Sequence, residues 1–208
     1  MNRGYHEIKE HGKREFPFNI YPCSIPVDFS HVALHWHEEM EIIAVKKGKG
    51  RITVDTVSYP VEEGDILAVF PGQLHAISCG NGERMEYENI IFRLSMLMGD
   101  NGDGCTVHFL KPLQEGQAKN PVLIQRNQPD HEVFGKVIQE LDRFSEIRGN
   151  GQGSVIFVFV LCLWQRHLVY REEAGTCKRE NQGDTGVHPG TFWGRDYDQA
   201  GGRAVLLQ

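Results

Sequence analysis

The sequence predicts a mainly β fold, an antiparallel barrel that is followed by one or two α-helices. Between residues 31 and 95, short apolar segments recur roughly every 8 to 12 residues with glycine-containing turns between them, as in sandwiches and barrels. From residue 129 the apolar residues follow a helical period instead. Two histidine-containing segments, 35–41 and 64–75, place polar side chains where a barrel interior is usually apolar.

Composition limits the classes of protein that this chain can be. With 208 residues, 40% of them hydrophobic, it can bury one core. The net charge of -6 argues against direct binding to DNA. Five scattered cysteines without a C-x2-C pair suit free thiols in a reducing cytoplasm. The longest apolar run, 155–164, has about half of the ~20 residues that cross a bilayer, so no membrane segment is expected.

The barrel and the segment before it are predicted from residue 1 onwards. Residues 1–30 are expected to form an N-terminal arm, in which two prolines favour extended structure and which can lie over a pocket. The barrel is expected over 31–125. Its predicted strands are 31–34, 40–46, 50–54, 58–61, 65–70, 75–78 and 86–93, with closing strands at 105–113 and 121–124. The lysines of 46–49 are interpreted as a basic turn, and Glu38 and Glu39 as solvated charges.

An amphipathic helix is expected over 129–148, with Asp130 as a plausible N-cap. Its apolar stripe consists of Val133, Phe134, Val137, Ile138, Leu141, Phe144 and Ile147. The pattern allows two roles for this stripe: it covers the barrel, or it pairs with the same helix of a second subunit in a homodimer.

Four side chains are the candidate binding site. Alternate residues of a strand share a face, so His35, His37 and Glu41 can point the same way, and His75 can complete the set. These groups could bind a divalent metal ion, which needs donors at about 2.0 to 2.2 Å. They could instead bind an organic effector by hydrogen bonds, or serve only structure. No residue is assigned a catalytic role.

The same segments resemble the two cupin motifs. H-x-H-x3-E-x6-G is complete from His35 to Gly48, and G-x6-P-G-x2-H runs from Gly64 to His75. With the arm and the following helix, residues 15–148 look like the N-terminal effector-binding and dimerisation domain of AraC-type transcriptional regulators. The resemblance implies a cupin (RmlC-like jelly-roll) barrel that binds a small-molecule effector, a sugar among the candidates, in a cytoplasmic homodimer.

The sequence departs from AraC-type regulators after residue 149, where they continue towards two helix-turn-helix units. Residues 150–208 lose helical periodicity and become glycine-rich, which predicts an aberrant, poorly ordered tail. We therefore expect this chain to lack the DNA-binding domain. A shifted reading frame from residue 181 permits a string similar to the opening of a helix-turn-helix domain, so we hypothesise a frameshift near residues 150–181.

Two classes of function remain open from the sequence. In the first, the barrel binds a metabolite and the binding energy shifts the arm and the dimer contact of a regulator. In the second, the chain is a free-standing metal cupin, a dioxygenase or isomerase whose divalent ion polarises substrate oxygens. The helix at 129–148 and the lysines of 46–49 favour the sensor over the enzyme. A third reading, a partly folded product that is inactive or forms inactive heterodimers, also stays open.

Overall fold

The computed structural model describes residues 3–14, 16–99, 103–118, 120–146 and 156. The strands of this part are β1 (Phe18–Ile25), β2 (Val32–His35), β3 (Met40–Val54), β4 (Val57–Glu62), β5 (Ile66–Val69), β6 (His75–Ser78), β7 (Met85–Phe92) and β8 (Val122–Ile124). Its α-helices are α1 (Lys111–Gln114) and α2 (His131–Glu146), and short 3-10 helices cover Arg3–Tyr5 and Leu94–Leu97. The tail expected over 150–208 lies outside the described residues, except for Ile156, which is helical and buried.

The strands form two antiparallel sheets that share β3. One sheet has the order β1-β7-β3-β5-β8, and the other contains β2, β6, β3 and β4. Residues 40–48 of β3 pair with β7 and β5, whereas residues 49–54 pair with β4 and β6. This is the mainly β barrel with following helices that the sequence predicts. The extended segment expected within residues 1–30 is strand β1, which pairs with β7 along its whole length.

Strand β3 changes sheets at a bulge, where the sequence predicts a basic turn. The register shifts between Val45 and Lys47, and Gly48 follows with a φ of +80°. A side chain at Gly48 would also collide with the carbonyl oxygen of Arg84, so both the conformation and the space require glycine. The prediction of a turn over 46–49 was therefore wrong, because these residues continue one long bent strand.

Alternation along β3 separates two hydrophobic cores. Ile43 and Val45 point between the two sheets, where they pack with Leu67, Ile77 and Tyr87 in the barrel interior. Ile42 and Ala44 point to the other face of the first sheet, in the core that includes the helices. Every second residue in this part of β3 faces the barrel interior. Glu41, two residues before Ile43, therefore also lies inside the barrel.

The segment after β7 is helical, not a closing strand. The structure has a π-helix at Thr106–Leu110 that runs into α1, where the sequence predicts a strand over 105–113. The Asp103 carboxylate accepts hydrogen bonds from the Thr106 backbone N–H (2.8 Å) and hydroxyl (2.9 Å), which caps this helix. Leu110 and Leu113, three residues apart, are both buried in the outer core, so a helical period fits the burial better than a strand does.

Helix α2 covers the outer face of the first sheet. It begins directly after Asp130, as predicted, and Phe134, Ile138 and Leu141 are buried in the outer core. Val133, which the sequence places in the stripe, is instead 50% exposed. The described part of the apolar stripe therefore covers the barrel, which is the first of the two roles that the sequence allows. In the described residues no helix is long and apolar enough to cross a membrane.

Candidate functional site

The four predicted side chains converge at one end of the barrel. His35 ends β2 and lies opposite His75, the first residue of β6. Glu41 is the second residue of β3, and His37 lies in the connection that leads into that strand. One donor atom from each of the four residues lies within 4.8 Å of all the others. His37, Glu41 and His75 are buried and His35 is partly exposed, so the set opens to solvent on the His35 side.

Backbone carbonyl groups fix the orientation of all three imidazole rings. The Nδ1–H of His35 donates to Ala33 O at 2.9 Å, that of His37 to Glu39 O at 3.1 Å, and that of His75 to Gln73 O at 3.0 Å. A carbonyl oxygen only accepts, so Nδ1 must carry the proton in each ring. In a neutral ring this leaves the lone pair on Nε2. Histidines that bind metal ions through Nε2 are held in this way by hydrogen bonds from Nδ1.

The Glu41 carboxylate is the centre of the set. Its Oε2 lies 2.9 Å from His37 Nε2 and 2.9 Å from His75 Nε2. With a proton already on Nδ1, these rings can face a carboxylate closely only if a second proton or another cation lies between them. The site therefore requires positive charge at its centre, supplied by protons or by a bound cation.

Electrostatics agree with this requirement. Burial alone would raise the pKa of Glu41, but the charge of His75 and the hydrogen bonds from His37 and His75 outweigh it and hold that pKa far below its ordinary value. Burial opposes the charged form of His75 as well, yet the Glu41 carboxylate raises the pKa of His75. At His35 burial dominates, and together with the nearby His75 it lowers the pKa of the ring. Glu41 thus stays ionised although it is buried.

The donor set fits a divalent metal ion. Three imidazole nitrogens and one carboxylate oxygen are donors that zinc, iron, manganese and nickel accept. Adjacent donors of an octahedral ion with bonds of about 2.1 Å lie about 3.0 Å apart, close to the two 2.9 Å contacts of Glu41. These residues are His35, His37, Glu41 and His75, hereafter the quartet. Their role in binding is an inference from this chemistry.

The N-terminal arm contributes polar groups beside the quartet that the sequence analysis did not single out. Glu7 Oε2 lies 3.6 Å from His35 Nε2 and 3.5 Å from His11 Nε2. His11 is only 5% exposed, and its Nδ1 lies 3.1 Å from the Tyr21 hydroxyl. Trp36, which lies between His35 and His37 in the sequence, stacks on His6 of the arm. No periodic pattern marks an irregular arm, so only the three-dimensional structure reveals these contacts.

A second difference concerns the acidic residues beside the quartet. Glu39, predicted to be a solvated charge, is buried, and its Oε1 accepts a hydrogen bond from Arg93 Nε at 2.9 Å. Its other oxygen, Oε2, lies 3.7 Å from His37 Nδ1. Arg93, just past the end of β7, therefore compensates a buried charge next to the ring that Glu41 contacts from the other side.

Comparisons with known proteins agree with the barrel. A family model described as AraC-like ligand binding domain matches residues 26–139. An uncharacterised HTH-type transcriptional regulator of Bacillus subtilis, YdeC, is 27% identical over 88 residues, which are 42% of this chain and 30% of that protein. The chain thus covers less than a third of the length of this relative.

Solved structures of cupins are also similar to parts of the chain. A cupin protein from Bacteroides fragilis is 26% identical, with a TM-score of 0.31, over 39% of this chain and 67% of that one. A predicted oxalate decarboxylase from Thermotoga maritima is 25% identical, with a TM-score of 0.33, over 36% of this chain and 64% of that one. At such TM-scores the assignment of the fold rests on the strand pairing and on the family model.

Proposed function

We propose that the barrel binds a small-molecule effector at the quartet and is the sensing part of a transcriptional regulator, because the chain belongs to the family of AraC-like ligand binding domains. One observation carries this proposal. A buried carboxylate and three oriented imidazoles lie together at the end of an otherwise apolar barrel. Such a concentration of polar groups is costly to bury unless a ligand or cation uses it.

The quartet would hold a divalent cation, and the effector would bind to it from the open His35 side. A bound divalent cation would supply a Lewis-acidic point of attachment for an effector oxygen. The protein's own residues do the rest. The backbone carbonyl groups keep each Nδ1 protonated and each Nε2 directed inward, while the buried Glu41 provides negative charge. Carboxylates and sugars are both candidate effectors, because both offer oxygen donors.

The arm is the element through which binding would be transmitted. Glu7 and His11 of the arm lie against the quartet, and Trp36, next to two quartet histidines, stacks on His6. A ligand that enters from the His35 side must contact or displace these groups. A ligand that binds more tightly when the arm is attached than when it is displaced would therefore favour the attached arm, and a ligand with the opposite preference would favour the displaced arm.

Retention of small molecules tests the proposal and also identifies the effector. The full chain is equilibrated with a cytoplasmic small-molecule extract, washed and denatured, and the released compounds are identified by mass spectrometry. We expect one compound class to be retained by the wild type and lost in Glu41→Gln, with Glu62→Gln, an exposed site in β4, as a matched control. Equal retention by the wild type and Glu41→Gln would contradict binding at the quartet.

A metal-dependent cupin enzyme, such as a dioxygenase or isomerase, is the second candidate function. The observation that favours it is the donor set itself, since three imidazoles and a carboxylate leave further positions of an octahedral ion for substrate. A sensor releases its effector unchanged, whereas an enzyme transforms it. Incubation of the metal-loaded protein with the retained compound therefore separates the two functions.

Self-association is a further part of the proposal, in which the sensing domain acts as a cytoplasmic homodimer. Because Phe134, Ile138 and Leu141 pack against the barrel, a dimer through α2 would use the helix's outer face around Val133. Sedimentation velocity of the wild type and of Val133→Asp tests this. A dimer that the substitution does not weaken would place the interface elsewhere.

A further inference from the structure

A short backbone pairing between the arm and the segment around Trp36 determines where the Glu7 side chain lies. The Glu7 backbone N–H donates to Trp36 O at 2.9 Å, and the Trp36 N–H donates to Tyr5 O at 2.9 Å. This short parallel pairing lies between His35 and His37, which flank Trp36 in the sequence. Glu7 is therefore held next to the quartet by the backbone, whatever its side chain does.

The Glu7 carboxylate faces the histidines of the quartet. Its Oε2 is 3.6 Å from His35 Nε2, the nitrogen that points towards the other donors, and its side chain is 28% exposed. His11 Nε2 lies 3.5 Å from the same oxygen. The Glu7 carboxylate therefore lies against the open, His35 side of the quartet.

From this placement we infer that Glu7 is a fifth donor to the cation of the quartet, so that the arm completes the site. The inference rests on the proposed function, in which the quartet holds a divalent cation. Two donors of one octahedral ion with bonds of about 2.1 Å lie about 3.0 to 4.2 Å apart, and the 3.6 Å between Glu7 and His35 is within that range.

Charge balance supports a second carboxylate. With neutral imidazoles, Glu41 alone leaves one excess positive charge on a divalent cation in this largely buried site, because the nearby buried charge of Glu39 is already paired with Arg93. An uncompensated charge in such surroundings is strongly unfavourable. Glu7 supplies the second negative charge.

His11 and Tyr21 act as positioning residues for Glu7. The His11 ring makes an edge contact with the Tyr21 ring, with centroids 5.5 Å apart, and its Nδ1 can accept the proton of the Tyr21 hydroxyl at 3.1 Å. This leaves the proton on Nε2, which lies 3.5 Å from Glu7 Oε2 without hydrogen-bond geometry. A buried N–H that has no other partner among the described residues thus lies beside the carboxylate and attracts it to this side of the quartet.

A donor on the arm couples the position of the arm to occupancy of the site. If the cation binds more tightly when Glu7 is in place, then the cation must stabilise the attached arm by the same free energy. The arm should therefore become harder to cleave when the ion is bound, and this effect should depend on the Glu7 carboxylate.

Cobalt binding to the full, tag-free chain tests the inference. Co²⁺ alone is titrated into chelator-treated wild type, Glu7→Gln, Glu41→Gln and Glu10→Gln, the last being an exposed control in the same arm. Affinity is measured by calorimetry, coordination by the visible absorption spectrum, and attachment of the arm by the rate of tryptic cleavage after Lys9 and Lys13. For Glu7→Gln we expect a Kd raised about tenfold or more, an altered spectrum and loss of the cobalt-dependent protection of the arm.

The outcomes separate this inference from the function on which it rests. Loss of cobalt binding in Glu41→Gln together with an unchanged Kd and spectrum in Glu7→Gln would overturn the role of Glu7 and leave the quartet intact. Equal weakening by Glu7→Gln and Glu10→Gln would overturn it too, because a general charge effect would then suffice. A wild type that binds no Co²⁺ would overturn both the role of Glu7 and the cation of the quartet, but not effector binding as such.

Discussion

Lys46 links the barrel to helix α2, and its replacement gives a quantitative test of the structure. Its Nζ lies 2.7 Å from Glu88 Oε2 on β7 and 2.7 Å from Asp142 Oδ2 on α2. The three side chains are only 36%, 22% and 34% exposed. Burial and the neighbouring Asp142 raise the pKa of Glu88 in spite of the opposing effect of Lys46. Lys46→Met would leave the two carboxylates facing each other without a cation.

The expected cost lies between that of an exposed and that of a buried ion pair. Removal of one partner costs about 3 to 5 kcal/mol in a buried pair, whereas an exposed pair contributes about 0 to 1 kcal/mol. With side chains about one quarter to one third exposed, we expect Lys46→Met to lower the free energy of unfolding by about 2 kcal/mol at pH 7.5. In a chain of this size that corresponds to a decrease in Tm of about 4 to 8 °C.

The loss of unfolding free energy in Lys46→Met should depend on pH. If the pKa of an acid is higher in the folded than in the unfolded protein, the acid stabilises the folded state at a pH below its unfolded pKa. This stabilisation is lost as the pH rises through the folded pKa. Loss of Lys46 should raise the pKa of Glu88 further. Lys46→Met should therefore lower the free energy of unfolding by less at pH 5 than at pH 7.5.

Urea unfolding followed by tryptophan fluorescence measures this deficit at both pH values. Lys47→Met, at the exposed neighbouring position, is the matched control and should cost less than about 0.5 kcal/mol. Addition of Glu88→Gln to Lys46→Met should recover part of the loss, because a single carboxylate remains. A Lys46→Met variant as stable as Lys47→Met, or a deficit that is the same at pH 5, would refute the reasoning.

Three further predictions test other parts of the structure. Phe134→Ala should destabilise the chain by about 3 to 5 kcal/mol in urea unfolding, and Val133→Ala by less than about 1 kcal/mol; equal costs would contradict the observed face of α2. Trp36→Ala removes the aromatic surface on which the arm stacks, so tryptic cleavage of the arm should be at least severalfold faster than in the wild type, and an unchanged rate would mean that the arm is held elsewhere. Arg93→Met leaves the buried Glu39 without its cation and should lower the free energy of unfolding by about 2 to 4 kcal/mol at pH 7.5; a loss below about 0.5 kcal/mol would show that this pair is not needed.

The candidate site could be predicted from the sequence to the extent that strand geometry determines it. The spacing of His35 and Glu41 predicted a shared face, as in one strand, although the structure places them in β2 and β3 on either side of a connection. His75 comes from a distant strand, but a turn and an apolar segment precede it, which indicates a strand start. The convergence of these residues with His37 therefore follows from local pattern together with the assumption of a barrel.

What the sequence did not predict depends on tertiary contacts. Residues 105–113 have the composition of a strand, and a single capping carboxylate and the burial of two leucines make the segment helical. Glu39 was interpreted as solvated and Lys46 as part of a basic turn, because their partners, Arg93 and Asp142, are far away in the sequence. Glu7 belongs to an irregular arm without a period. For Glu39, Lys46 and Glu7 the missing information was the identity of a distant neighbour.

Elemental analysis tests the central claim, that the quartet holds a cation in this sensing domain. The full chain is purified without a metal-binding tag, dialysed against metal-free buffer and analysed by plasma mass spectrometry beside Glu41→Gln. Close to one iron, manganese, nickel or zinc ion per chain in the wild type, and a small fraction of that in the variant, is the result expected. A wild type without metal, or a variant that retains as much metal as the wild type, would contradict the claim.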